Sequence, residues 1–374
     1  MYERAAELER QGRDVIHLEV GRPSFDTPPH IKQAAKDALD AGIVHYGDLR
    51  GTETLRDAIA DDLNRRHGFA IGADEVLITT GLTQAAFATF MAALDPGDEV
   101  ITLEPLYPQH PPKIELIGGS VVSVPLVKED GYRLDAGVVE AAVTPRTRAL
   151  LLVNPANPVG RVFSRPELEG LADVARRHDL LVVSDEVYDR IVYDDGTHVS
   201  IATLPGMWER TITLFAFTKA FAMDGWRLGY AVAPDPLISQ VLRVTLNETT
   251  HPNVFAQEGA LAAILSPPET VEEMVAEDKR RRDLVFDRLN AMPGVSCPRP
   301  EGAIYAFPDL SELGRTSMEL AADILDRCLV ATEAGSFYGA SGEGHLRICF
   351  GSEPYDRLEE ALDRIEAYLS EGPG

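Results

Sequence analysis

Three cysteines in 374 residues, at positions 297, 328 and 349, are too few and too scattered for a disulfide framework or a metal-binding spacing. Basic residues are also scarce. Thirty-five lysines and arginines face 60 acidic side chains, a formal net charge of −25. That balance argues against nucleic acid or an anionic membrane as a partner, since both bind a basic face. No apolar run approaches the ~18 residues a membrane helix requires. The opening MYERAAELERQGRD is charged throughout and shows no signal peptide. A reducing cytoplasmic location and no metal are therefore expected. Nor does any glycine pattern suit a dinucleotide fold. What remains is a globular composition in a chain longer than one ordinary core, which predicts a large domain and a smaller one.

Continuous apolar runs alternate with helical patterns through the middle of the chain. Residues 75–79, 99–103, 120–125, 149–153, 180–184, 211–217 and 228–233 read as strands buried on both faces. Helical patterns at 84–94 and 166–178 lie between them, the second opened by the capping box Ser164-x-x-Glu167. This predicts a three-layer α/β/α domain around a mainly parallel, seven-stranded sheet, over residues 31–267. After Pro267 come long charged helices (269–290, 318–327, 354–369) and short strands near 304–307 and 346–349. A smaller α+β domain is expected there, made of residues 1–30 and 268–374.

Ligands of open parallel sheets gather at the carboxyl ends of strands, and four polar clusters fall there. Gly81-Leu82-Thr83 precedes a helix and offers backbone N–H groups and a hydroxyl to a phosphate, although Thr83 equally suits an ordinary N-cap. Asn154-Pro-Ala-Asn157-Pro forms an irregular turn that aims an amide at a phenolate oxygen, or simply stiffens the chain. Asp185 ends a strand where a carboxylate can hold a proton on a pyridine nitrogen, with Tyr188 three residues on; an acidic helix start is the plainer alternative. Lys219 follows a strand among Phe215, Phe217, Phe221 and Trp226, surroundings that favour a neutral amine able to attack an aldehyde. Arg227, eight residues later, offers a fork to a phosphate. Together these clusters meet the needs of pyridoxal phosphate, the aldehyde cofactor that forms a Schiff base with lysine.

The chain resembles the class I/II aminotransferases of the fold-type-I pyridoxal-phosphate family over nearly its whole length. NPANPVG matches NPxNPTG, SDEVY matches DEVY, and FTKAFAMDGWRLGY matches SKxFxMxGWRxGY. The resemblance implies transamination between an L-amino acid and a 2-oxo acid by ping-pong chemistry, with Lys219 as the aldimine lysine and proton carrier. It implies that Asp185 pairs with the ring nitrogen, that Asn157 and Tyr188 contact the ring O3′, and that Tyr107 stacks on the ring. Gly81, Leu82, Thr83, Thr218 and Arg227 then belong to the cofactor's site. Arg347 takes the substrate α-carboxylate, helped by Gly21 and Asn157. Tyr46 reaches the neighbouring subunit's phosphate, which makes the protein a homodimer with shared active sites. Read singly, Arg347, Tyr46 and Tyr107 are also ordinary core residues.

The scaffold alone does not decide which Cα bond breaks, so a β-lyase, decarboxylase or racemase is the alternative. A non-enzymatic pyridoxal-binding regulator is disfavoured by the acidic charge and the lack of a basic module. Ala216 stands where the pattern has serine, and Ala334 where it has proline. Thr83 stands where some bacterial aspartate-using relatives have lysine, so a dicarboxylate preference loses one expected cation. Arg22 and Arg50 are candidates to replace that cation, with surface ion pairs as the plainer alternative, and Tyr107, Phe25 and His251 suit an aromatic or bulky apolar substrate side chain.

Overall fold

The computed structural model describes residues 1–370. The central sheet has seven strands: β1 (Val76–Thr79), β2 (Glu99–Glu104), β3 (Ser120–Pro125), β4 (Thr147–Val153), β5 (Leu181–Asp185), β6 (Thr211–Ala216) and β7 (Gly229–Val232). Their spatial order is β1-β7-β6-β5-β4-β2-β3. The unbroken apolar runs have a direct cause. Along β4, Leu150 and Leu152 face one helical layer while Ala149 and Leu151 face the other, and all four are buried. Helix Arg165–Arg177 covers the first face through Leu168, Leu171 and Val174. Helices Gly81–Ala93 and Leu237–Glu248 cover the second through Ala85, Phe90, Ile238 and Val241.

Only one strand of this sheet runs against the rest. β7 is antiparallel to both β6 and β1, whereas every other neighbouring pair is parallel. A parallel partner would require a crossover helix, and residues 217–228 between β6 and β7 supply only a short 3-10 turn at Asp224–Trp226. Lys219 and Arg227 both lie in that connection, which places them at one rim of the sheet.

A second hydrophobic cluster joins Ile16 and Leu18 to residues from the C-terminal third, among them Leu289, Tyr305, Leu320, Ile348 and Leu362. Ile16–His17 pairs in parallel with Val330–Ala331. Leu346–Cys349 lies between Tyr305–Ala306 and Glu333–Ala334, antiparallel to both, and sets Glu333 directly opposite Arg347. Among the described residues no helix is long and apolar enough to cross a membrane.

Candidate active site

Strand ends converge on one cavity of about 430 Å3. Val153 and Asp185, the last residues of β4 and β5, line it with Tyr107 and Asn157 from the loops after β2 and β4. Leu82 and Thr83 come from the first turn of the helix after β1, and Thr218, Lys219 and Arg227 from the connection after β6. The opposite wall comes from both ends of the chain and includes Gly21, Tyr305, Glu333 and Arg347. Eleven of the thirteen residues singled out in the sequence therefore share one cavity. The other two, Gly81 and Tyr46, do not line it.

Lys219 donates to the Gly21 carbonyl. Burial, reinforced by the cations of Arg347 and Arg227, holds its ammonium below the ordinary lysine value. The aromatic wall expected around it is elsewhere. Phe215, Phe217 and Phe221 pack with Tyr230 in the cluster beneath the sheet rim, with Trp226 at its edge, and none of them lines the cavity. The reason is the turn after β6: Phe215 and Phe217 share one face of β6 and its extension, and the chain has left the strand before it reaches Lys219. Lys219 instead faces the tyrosine-rich wall.

Asp185 is 3 % exposed, and its Oδ2 lies 2.9 Å from His110 Nε2, itself fully buried. Oδ1 accepts the Val187 N–H at 3.2 Å. The next carboxylate, Glu186, points away and is satisfied by the hydroxyls of Ser184 and Ser200 and by His198. One acidic side chain of the pair is thus structural and the other faces the cavity. Tyr188 shares a 2.7 Å hydrogen bond with Tyr305, and burial pushes its phenol well above the usual value. Burial likewise raises Tyr107 to about 12.

Gly81 begins a helix rather than preceding one, so Leu82 and Thr83 are first-turn residues with unbonded N–H groups. A side chain at Gly81 is disfavoured, because the backbone there is left-handed (φ 76°) and a Cβ would sit 2.6 Å from Arg227 Nη2 and push the guanidinium aside. Arg227 adopts a left-handed backbone (φ 55°), which costs energy for any residue with a Cβ and brings its guanidinium back over the helix start. Thr218 lines the cavity and Ala216 does not, so a hydroxyl is present beside the lysine although the expected serine is missing.

Gly21 is required by packing. A Cβ at this position would lie 2.1 Å from the Tyr305 hydroxyl. Gly21→Ala is therefore expected to break the Tyr188–Tyr305 bond and destabilise the fold by about 1–3 kcal/mol. Thermal unfolding measures this, and adding Tyr305→Phe should recover part of the loss.

Arg347 is 4 % exposed and lies between the rings of Tyr305 and Tyr338, at 4.5 and 5.3 Å from their centroids. It donates to the Glu19 carbonyl and pairs with Glu333 at 2.6 Å. Its Nη1 reaches Asn157 Oδ1 only at 3.5 Å, and Nε has no partner among the described residues.

The side-chain candidates divide differently. Arg50 binds the Asp74 carbonyl and Ser239, and Phe25 stacks with Arg281. Neither lines the cavity, nor does Arg22. Tyr46 is 89 % exposed and meets His251 edge-on at 5.6 Å, within an exposed run that includes Ile43, Val44 and Leu49.

Residues 13–365 match the family model for aminotransferase class I and II. The chain belongs to that family. Its reaction class is transamination and its fold is the family's. The aminotransferase is 42 % identical to an aspartate aminotransferase of Pyrococcus abyssi over 96 % of this chain and 92 % of that protein. It is 40 % identical to an arginine–pyruvate transaminase of Pseudomonas aeruginosa, over 98 % and 93 % of the two chains. Among solved structures, the aromatic aminotransferase of Pyrococcus horikoshii superposes with a TM-score of 0.93 at 41 % identity, covering 98 % of this chain and 99 % of that one.

Sequence reasoning passed over three residues of the aminotransferase's cavity region: His110, Tyr305 and Glu333. His110 has a legible signal, since it opens a helix two residues after the proline that follows Tyr107. Tyr305 and Glu333 have none, because the pairing of distant short strands places them.

Proposed function

We propose that this aminotransferase uses pyridoxal 5′-phosphate to move an amino group between an L-amino acid and a 2-oxo acid in two half-reactions. One observation carries the reading: a part-buried lysine with a lowered pKa, a buried carboxylate braced by histidine and a buried arginine face one cavity of about 430 Å3.

The donor set suits that cofactor. The side-chain-free position at Gly81, the helix N-terminus above it and the guanidinium of Arg227 form an anion cradle. Asp185, kept out of water, suits a protonated ring nitrogen, and the amide of Asn157 and the phenol of Tyr188 suit a ring oxygen. Tyr107 suits the ring face, and Thr218 stands beside the lysine. When bound, the cofactor supplies an aldehyde for the substrate amine and an electron-poor ring for the charge left by a broken Cα–H bond.

The chain's own residues do the rest. Burial lowers the pKa of the Lys219 ammonium, which favours the neutral amine that can take a proton from Cα and return it at a neighbouring carbon. Arg347, fixed between two tyrosine rings, orients the substrate by its α-carboxylate. His110 holds Asp185 in position through Nε2. Tyr305 fixes the Tyr188 hydroxyl and so limits its rotation.

Residues 31–267, and 1–30 with 268–374, are proposed as the two domains, the last four residues lying outside the described ones. The exposed apolar run around Tyr46 supports a homodimer in which Tyr46 serves the partner's phosphate. A cytoplasmic enzyme is the reading that the widely spaced cysteines support.

The test is a half-reaction. Holoenzyme mixed with an amino acid alone should form one 2-oxo acid per site, with the cofactor spectrum converting to its amine form. A 2-oxo acid should then restore the first spectrum. Continuous release of ammonia or carbon dioxide from the amino acid alone would mark a lyase or decarboxylase instead.

A further inference from the structure

We propose that Glu333 determines substrate specificity: its carboxylate holds Arg347 in the resting enzyme, yields to a substrate α-carboxylate, and then keeps a second negative charge out of the site. The donors are accordingly L-amino acids with neutral or cationic side chains, not dicarboxylates. This inference rests on Arg347 as the α-carboxylate partner.

The strand register makes the contact. Glu333 and Arg347 are direct cross-strand partners in an antiparallel pair, so their side chains project from the same face, here into the cavity. Glu333 Oε2 lies 2.6 Å from Arg347 Nη2 and also accepts the Tyr338 hydroxyl. Arg347 is left half-used, with Nε unpartnered and Nη1 at the limit of bonding to Asn157. A carboxylate gripping two nitrogens of this guanidinium must share Nη2, the atom that Glu333 holds, so the two carboxylates compete for it. Of the two partners, the acid is the one able to move: its side chain is 28 % exposed to the cavity, against 5 % for the arginine.

The charges then decide the side chain. Lys219, Arg227 and Arg347 are the cations that line the cavity. In the proposed reading they serve the cofactor aldehyde, its phosphate and the α-carboxylate. Among the described residues no lining cation remains for a second carboxylate: Thr83 is neutral, and Arg22 and Arg50 do not line the cavity. The displaced Glu333 carboxylate, in contrast, has lost its partner and repels any further anion in a site shielded from water.

The experiment uses holoenzyme and three unreactive carboxylates: succinate, 3-phenylpropanoate and 4-guanidinobutanoate. Binding is followed by calorimetry and by the cofactor's absorbance. Succinate is expected to bind about tenfold or more weakly than either of the others, a difference of about 1.4 kcal/mol or more. In Glu333→Gln succinate should gain about tenfold or more, narrowing the gap, whereas Glu333→Asp should keep it. Wild-type protein that binds all three equally, or a folded Glu333→Gln protein with an unchanged succinate ratio, would overturn the assignment. Failure to retain the cofactor or to bind any of the three would overturn the underlying reading of the site instead.

Discussion

Lys219→Ala is expected to abolish transamination, with turnover falling by about 10⁴-fold or more, because the proposed reading makes this residue both the attacking amine and the proton carrier. Loss of activity alone would not separate chemistry from misfolding, so two further readouts accompany it. Borohydride treatment of wild-type holoenzyme should fix the cofactor to the peptide containing Lys219; the variant should carry no adduct and lack the visible absorption of a lysine-linked cofactor. The second readout is stability. Lys219 has its ammonium depressed by burial relative to the unfolded chain. In the window between its lowered folded value and the ordinary lysine value of 10.5, the unfolded state binds more protons, so this residue's burial disfavours folding increasingly as pH falls through that window. Cofactor-free Lys219→Ala should therefore be as stable as cofactor-free wild type near neutral pH, or more so. A variant that keeps turnover would end the assignment of this lysine.

The sequence made the sheet legible because its strands are covered on both faces. Where Leu150 and Leu152 face one layer and Ala149 and Leu151 the other, apolarity is continuous and the run announces itself. The reversed strand β7 was not legible, since its apolar run looks like any other and direction depends on the connection before it. The same distinction holds in the cavity. Asp185, Asn157, Lys219 and Arg227 lie at or just beyond strand ends and were found by position. Glu333 escaped because its meaning depends on pairing across a two-residue strand with a residue fourteen positions later, a register no local pattern encodes. Its neighbour Ala334, in place of an expected proline, was the visible departure, yet the charged side chain beside it reaches the arginine. The phenylalanines near Lys219 erred in the opposite direction. They are close in sequence and buried, but the strand ends at Ala216 and the turn that follows carries Lys219 away from the face they share.

Asp185→Asn should be the most damaging change after loss of the lysine. Its carboxylate is 3 % exposed, and burying an anion is costly unless a positive partner faces it. In the protein alone, the visible partners are His110 at 2.9 Å and a backbone N–H at 3.2 Å. A protonated ring nitrogen would complete the set. An amide of the same shape keeps the hydrogen bond to His110 only in one orientation and gives up the negative charge. Removing one preorganised electrostatic partner typically costs 10²–10³ in rate, and that loss is expected in kcat for both half-reactions. The KM for the amino acid should move much less, because the proposed substrate grip, Arg347, stands on the opposite wall. Cofactor retention through dialysis should also fall. His110→Phe is the informative companion: it leaves the carboxylate in place but frees its orientation. A positioning role predicts a loss of about tenfold in kcat with the cofactor retained, well short of the aspartate variant. If Asp185→Asn instead changed KM alone, the carboxylate would be reading substrate rather than ring nitrogen, and the cofactor would have to sit in the cavity the other way round.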